Sequence, residues 1–435
     1  MKYSQYNTLI SLTKQVSALY NAISDKFVVI KNTIVEDLNL STDFLHEKNI
    51  KLYDELLQAD AIVEDDYDEY HFIRLKSIDV DKNTKDFKLM LNPTLDCNLK
   101  CWYCYENHVK GSKFTFETSE SIKKFVENTF DSFEEIEWFF LYFFGGEPLI
   151  GFSKNEELIE YIANLCRKRN VKLEISITSN GVLINKKIVE FLKNQSDWVG
   201  FQISLDGGEL EHDKVRFLPS NKGTYKRILQ NINLLVQNKI YVILRINYTM
   251  ENLHSIPSIV DDIKDWNIEC KNYLKFDFQR VWQDGNSILN LDNFLEIFSN
   301  AGFVVSSPLH FVNFLKFPCY ADNLNQVLIN YNGDVYKCTA RDFTDENRIG
   351  YLSETGDIVW TVSTPEERIE AKMQKQVCRD CSILPLCGGG CSQKCLENRF
   401  VNNCTYGYDE NTKKEIVLNR FYNYFVKNNE ASTGI

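Results

Sequence analysis

From about residue 86 onward, six apolar, strand-like runs alternate with segments whose apolar residues recur at helical spacing, and this rhythm leaves few folds open. The runs are FKLMLNPTL, WFFLYFF, VKLEISITS, WVGFQISLD, YVILRINYT and YLKFDFQRV, rich in β-branched and aromatic residues. Between them lie SESIKKFVENTF, EELIEYIANLCRKR, KKIVEFLKN, YKRILQNINLLVQN and SIPSIVDDIKDW, each with an apolar helical face. Repeated strand–helix–strand units imply parallel strands joined by right-handed crossovers. The expected fold is therefore α/β, a partial (β/α)6 barrel over residues 86–304. In such barrels chemistry gathers where strands end, so a functional motif should follow a strand directly.

Two flanking regions read differently. Residues 1–85 are expected to be a small α+β module: the short runs TLISL and FVVIKN precede a helical stretch, EKNIKLYDELLQADAIV, and an acidic turn, EDDYDEY. Residues 305–435 lose the alternation and gain cysteine, glycine and turn residues, as expected of a domain held by metal ligation more than by a large core. The tail, KKEIVLNRFYNYFVKN, reads as a closing amphipathic helix.

Composition excludes several classes. With 435 residues the chain is long enough for two or three domains. Its net charge of −12, with no basic patch standing out, argues against nucleic-acid binding, which needs a cationic surface. No window is apolar enough to span a bilayer, and MKYSQYNTLISLTKQ has polar residues where a signal peptide needs an apolar run, so a cytoplasmic protein without membrane contact is expected. In a reducing compartment the 13 cysteines point to metal or redox chemistry rather than disulfides. Cys166 and Cys270 stand alone and read as ordinary thiols; the others cluster.

The first cluster lies in LNPTLDCNLKCWYCYENH, directly after the first barrel strand, with the spacing C-x3-C-x2-C. Three thiolates on one short loop can hold three irons of a [4Fe–4S] cube and leave the fourth open. A zinc knuckle is the alternative, but zinc needs a fourth ligand nearby; His108 is close and reads as a surface histidine. The loop resembles that of the radical S-adenosylmethionine (SAM) superfamily, which has this spacing with an aromatic residue before the last cysteine. The resemblance implies that Cys97, Cys101 and Cys104 bind a catalytic cluster and that the backbone of Tyr103 helps place the adenine of SAM. FFGGEPLI, after the second strand, resembles the superfamily's GGE motif. By that likeness Gly145 and Gly146 let the backbone approach the methionyl end, and Glu147 faces its ammonium. ITSNG and QISLDGGELEHDKVR end later strands, where relatives carry polar contacts to the cofactor; Asn180, Ser204 and Arg216 are the candidates, and Asp206 is similarly placed. The implied chemistry is one-electron cleavage of SAM to a 5′-deoxyadenosyl radical that abstracts hydrogen from a substrate.

The second cluster reads Cys319-x13-Gly333-x4-Cys338, then Cys378-x2-Cys381-x5-Cys387-x3-Cys391, then Cys404. It resembles the seven-cysteine SPASM extension of radical SAM enzymes. That likeness implies two auxiliary [4Fe–4S] clusters, three clusters in all, with Cys319, Cys338 and Cys391 on the first and Cys378, Cys381, Cys387 and Cys404 on the second. Some relatives have a further cysteine shortly before the position of Cys319. None stands there in this chain, so the first auxiliary cluster has an open iron or takes Cys395, which could alternatively replace Cys404. Zinc ribbons would need a second C-x2-C pair besides Cys378 and Cys381. The run Gly388–Gly390 lacks the GK[ST] of a phosphate loop.

SPASM enzymes mainly modify peptides and proteins, and many begin with a winged-helix-like module that pairs with the leader of a precursor. The expectation is therefore a peptide maturase forming a thioether or carbon–carbon cross-link in a ribosomally made (RiPP) precursor. Residues 1–85 would bind the leader by strand addition, and a flavodoxin or ferredoxin would supply electrons. The alternatives are a sulfatase-type maturase forming formylglycine and an iron–sulfur electron-transfer or scaffold protein without catalysis.

Overall fold

A computed structural model describes residues 1–81, 85–285, 291–306, 319–362, 365–398 and 401–433. The chain divides by contact into two compact units: Met1–Asn83 with Leu309–Leu324 and Thr364–Ile435, and Thr84–Pro308 with Asn325–Ser363. This grouping differs from the expected breaks at 85 and 305, because residues 1–83 share a unit with most of the cysteine-rich region.

The first unit contains β1 (Lys2–Tyr3), β2 (Asn7–Ser11), β3 (Val16–Asn21), β4 (Lys26–Lys31) and β5 (Ile62–Val63). β2, β3 and β4 form an antiparallel sheet in that order, and β1 pairs with β5. The expected runs TLISL and FVVIKN supply β2 and β4; β3 (VSALYN) went unread because its serine and asparagine interrupt the apolar pattern. The expected helical stretch breaks at Asn49, whose side chain caps the next helix by accepting the Leu52 N–H at 3.2 Å. The acidic run EDDYDEY does turn, with Tyr67 N–H bonding the Glu64 carbonyl at 3.2 Å, and its last two residues open the helix Glu69–Asp81, where Asp68 accepts the His71 N–H at 2.9 Å.

A shared core explains the grouping. Tyr6, Ile10, Ala18, Tyr20 and Ile73 pack in one apolar cluster with Met373, Cys378, Ile383, Leu384, Val417 and Phe421. Arg420 grips Asp25 through two nitrogens (2.6 and 2.5 Å), and Tyr70 donates to the Met373 carbonyl at 2.7 Å.

The second unit is built on an 11-stranded sheet. Its parallel strands are β6 (Asp86–Asn92), β7 (Trp138–Phe143), β8 (Lys172–Ser179), β9 (Trp198–Leu205), β10 (Tyr241–Tyr248), β11 (Leu274–Arg280) and β12 (Val304–Ser306). They lie in sequence order, each strand beside the next. The six expected runs are β6 to β11, and the helices between them fall where expected, such as Glu156–Arg169 and Tyr225–Gln237. The sheet then continues past β6 with β13 (Gln326–Asn330), parallel to it, and the antiparallel β14 (Asp334–Tyr336), β15 (Gly350–Leu352) and β16 (Ile358–Trp360). This is an α/β fold whose parallel strands form a partial barrel rather than a closed one.

The two faces of the barrel strands have different chemistry. Leu89, Leu91, Phe139, Leu141, Ile175, Ile177, Phe201, Ile203, Leu244 and Phe276 are buried in the main apolar core. The alternate positions on β8 to β11 are Glu174, Ser176, Thr178, Gln202, Ser204, Arg245, Asn247, Asp277 and Gln279. The period-2 pattern thus puts helix-packing residues on one side and a polar surface on the other. Cys166 is a buried thiol inside the helix Glu156–Arg169, as its sequence setting suggested.

Candidate functional site

The cysteine loop, the GGE turn and the exits of β8, β9 and β10 meet at the C-terminal edge of the parallel sheet. Cys97 follows β6, and its half-buried sulfur accepts the Leu99 N–H at 3.5 Å. Burial pushes the Cys97 thiol up to about 12 and the Cys104 thiol to about 11, and the neighbouring thiolates reinforce the shift at both. Burial raises Cys101 as well, with Arg216 opposing it. His108 Nε2 lies 3.5 Å from Cys104 Sγ.

The GGE turn packs directly on this loop. A Cβ on Gly145 would lie 2.5 Å from the Thr94 carbonyl oxygen, and one on Gly146 would lie 2.3 Å from that of Asp96. Gly145 also needs its φ of +91°, a region that disfavours other residues. The glycines therefore serve first to bring the turn against the cysteine loop, and the Glu147 N–H donates to the Asp96 oxygen at 2.8 Å.

Glu147 is fully buried. Its carboxylate accepts from Leu149 N–H (3.0 Å), Asn180 N–H (2.8 Å) and the Ser179 hydroxyl (3.0 and 3.1 Å). Burial pushes its carboxyl up to about 7 against these donors. The side chain expected to face a ligand's ammonium is thus occupied in binding the β7 turn to the end of β8. Asn180 donates from Nδ2 to Asn98 in the cysteine loop at 2.7 Å, and lies 3.9 Å from Cys97 Sγ.

Arg216 and Tyr103 belong to a second buried network. The Tyr103 hydroxyl donates to Asp206 and accepts from Arg216 (2.6 Å) and Asn247 (3.1 Å), while Arg216 Nε also pairs with Asp206. Burial works against the Arg216 charge, and Asp206, Cys101 and Tyr103 hold it on. Behind them His212 accepts the Asp206 N–H through Nδ1 (3.2 Å) and meets Thr224 through Nε2 (3.0 Å). Burial holds His212 well below the usual histidine range, so it stays neutral. The Tyr103 carbonyl accepts from Gln283 at 2.9 Å. Ser204, in register with Arg245, sits on the polar face of β9.

Sequence reading missed Ser179, His212 and Asn247. The i, i+4 spacing of His212 and Arg216 on one helical turn was a signal for the second; Asn247 had none until β10 lay beside β9.

In the other unit, Cys378, Cys381, Cys387 and Cys404 line one cavity of about 240 Å³. Cys395 lines a different one with Lys375 and Asn402, is 1% exposed, and meets the Thr405 hydroxyl at 3.3 Å. Cys338 follows β14 in the barrel unit, where Tyr105 and Asn107 of the cysteine loop bond the adjacent Thr339 carbonyl (2.6 Å) and Asp342 (2.7 Å). Cys319 and Cys391 belong to the first unit.

The radical SAM superfamily model matches residues 91–263, the stretch that carries the cysteine loop, the GGE turn and the polar strand exits. Residues 91–263 are thus a radical SAM domain, the part of an enzyme whose chemistry uses SAM and a [4Fe–4S] cluster. Maturases are among the proteins this chain is similar to. A cysteine-type anaerobic sulfatase-maturating enzyme of Clostridium novyi is 28% identical over 383 residues, covering 79% of this chain and 96% of that one. Native anSMEcpe with bound AdoMet and Cp18Cys peptide has the same fold with a TM-score of 0.58 at 20% identity, covering 80% of this chain and 99% of that one. Streptococcus suis SuiB bound to precursor peptide SuiA gives 0.51 at 16% identity, covering 91% and 97%. Among the described residues no helix is long and apolar enough to cross a membrane.

Proposed function

We propose that this chain is a peptide maturase that closes a thioether or carbon–carbon cross-link in a ribosomally made precursor, with Cys97, Cys101 and Cys104 holding the catalytic cluster. The observation that carries the reading is coverage. The anSMEcpe structure is matched over nearly its whole length yet leaves about a fifth of this chain without a counterpart, whereas SuiB with its precursor peptide spans 91%. The additional part is similar in size to residues 1–83, whose antiparallel sheet has an outer strand, β4, with no further strand beside it among the described residues. Such an edge suits strand addition by a leader. The formylglycine reading is favoured by the full-length match to the C. novyi enzyme.

When bound, the reduced cluster and SAM supply a carbon radical that takes hydrogen from the substrate. The chain's part is placement. Gly145 and Gly146 seat the turn on the cysteine loop, and Glu147 locks that turn to β8 through Ser179 and Asn180. Arg216, Tyr103 and Asp206 form a rigid, buried post beside Cys101, and Ser204 presents a hydroxyl from the polar face. Glu147 acts on the cofactor by position, and the cofactor would meet the backbone beside it. The cavity of four thiols supports Cys378, Cys381, Cys387 and Cys404 as ligands of the second auxiliary cluster, with Cys395 outside the set; Cys319, Cys338 and Cys391 remain the proposed ligands of the first. A flavodoxin or ferredoxin is the proposed electron donor.

The test is to incubate reconstituted enzyme, SAM and reductant with a short precursor encoded beside it and, separately, with a sulfatase-derived cysteine peptide. Cross-linking removes two hydrogen atoms from the precursor. Exchange of cysteine sulfur for oxygen in the second peptide alone would replace this reading with the formylglycine one.

A further inference from the structure

The cavity lined by Cys378, Cys381, Cys387 and Cys404 has one charged side chain besides the thiols among its described lining residues, Lys413. Lys413 sits in the first turn of the helix Glu410–Thr433, is 14% exposed at its side chain, and pairs with Glu410 at 2.6 Å. A second polar group packs in the core that backs this cavity, with Cys378, Ile383 and Leu384 common to both. Tyr6, on the segment before β2, is 0% exposed, and its hydroxyl has no hydrogen-bond partner among the described residues. It packs in the apolar cluster against which Cys381 lies. A buried O–H without an acceptor is costly, and a cluster-bound thiolate is an acceptor of the right kind.

We propose that Lys413, from the cavity wall, and Tyr6, by a hydrogen bond to a cluster-bound sulfur, raise the reduction potential of the second auxiliary cluster. This rests on assigning that cluster to the four cavity cysteines. Reduction adds one electron's charge to a cluster already negative, so a buried cation and a hydrogen bond to sulfur both favour the reduced state. The segment that carries Tyr6 would then have an electronic role in addition to any part in binding a leader.

The experiment uses the full chain with Cys97, Cys101 and Cys104 all replaced by Ala, reconstituted anaerobically, so that only auxiliary clusters report. Potentials are read by dye-mediated titration with EPR detection, alongside iron content. Lys413→Met should shift the reduction equilibrium about tenfold toward the oxidised form, about 59 mV more negative for a one-electron couple. Tyr6→Phe should move it the same way, Lys413→Arg should leave it near the parent, and the other auxiliary signal should not move. Glu410→Gln, on the exposed side of Lys413, should shift the potential upward by unmasking the ammonium. Unmoved potentials in Lys413→Met with full iron content overturn the proposal. Should that variant lose its iron, Glu410→Gln decides: a rise supports the proposal and no change overturns it. A parent chain without auxiliary iron would instead show that the cluster assignment is wrong, a result distinct from an unmoved potential.

Discussion

Gly146→Ala isolates what the GGE turn does. Gly146 has no positive φ, so alanine meets no backbone penalty there and the effect is steric. The new Cβ would lie 2.3 Å from the Asp96 carbonyl oxygen, 2.7 Å from its carbon and 2.8 Å from the Leu95 carbonyl carbon, where ordinary contacts begin at 3.4 Å. All three atoms are backbone, and Asp96 is tied down by Glu147 N–H at its carbonyl (2.8 Å) and by Gly111 N–H at its carboxylate (2.8 Å). Relief requires a shift of about 1 Å in the residue next to Cys97. Overpacking of this kind costs about 1–3 kcal/mol, and a misplacement of about 1 Å at reacting groups costs on the order of 10²-fold in rate. Three measurements on one sample check this: iron and sulfide content, 5′-deoxyadenosine formation, and the denaturant midpoint. The variant should lose stability and catalytic-cluster occupancy even without SAM, because the clash is with the protein. Wild-type iron content and stability combined with weakened SAM binding would refute the reasoning, since the glycine would then serve only the ligand.

Other predictions follow from the same geometry. Tyr103→Phe leaves Arg216 and Asp206 each short of a charge-assisted hydrogen bond, worth about 1.5–3 kcal/mol; a change in unfolding free energy below about 0.5 kcal/mol would show that the hydroxyl is dispensable. His212 is held neutral in the fold, so the unfolded chain binds more protons below its ordinary pKa of 6.5, and stability should fall as pH drops through that value. His212→Asn should flatten this slope in unfolding measured across the acid range. Removing residues 1–83 strips Tyr6, Tyr20 and Ile73 from the core that holds Cys378; the truncated chain should lose C-terminal iron while the barrel keeps its own, and full iron retention would mean the shared core is not needed. Replacing Cys97, Cys101 and Cys104 together should abolish SAM cleavage and spare most other iron, as iron assay and product chromatography would show.

Much of the barrel was legible because its signals are local. β-branched runs and helical periodicity mark β6 to β11 and the helices between them, and cysteine spacing needs no third dimension to be read. β3 and β13 to β16 were not legible. They are short, and β13 becomes the neighbour of β6 only across more than two hundred residues of chain, a pairing that no local period encodes.

The amino-acid order by itself determined the radical SAM motifs within residues 91–263, the parallel architecture and the positions of the thiols, since these depend on residue type and spacing along the chain. Which groups those thiols and carboxylates meet was decided only by the tertiary structure. A carboxylate that reads as a ligand for an amine became a lock between two strand ends, because Leu149, Ser179 and Asn180 converge on Glu147 once β7 and β8 lie side by side. Tyr6 came into one core with Cys378 in the same way, through burial of an apolar cluster drawn from both ends of the chain. Hydrophobic burial is indifferent to sequence distance, so the environments it creates cannot be read from neighbours in sequence.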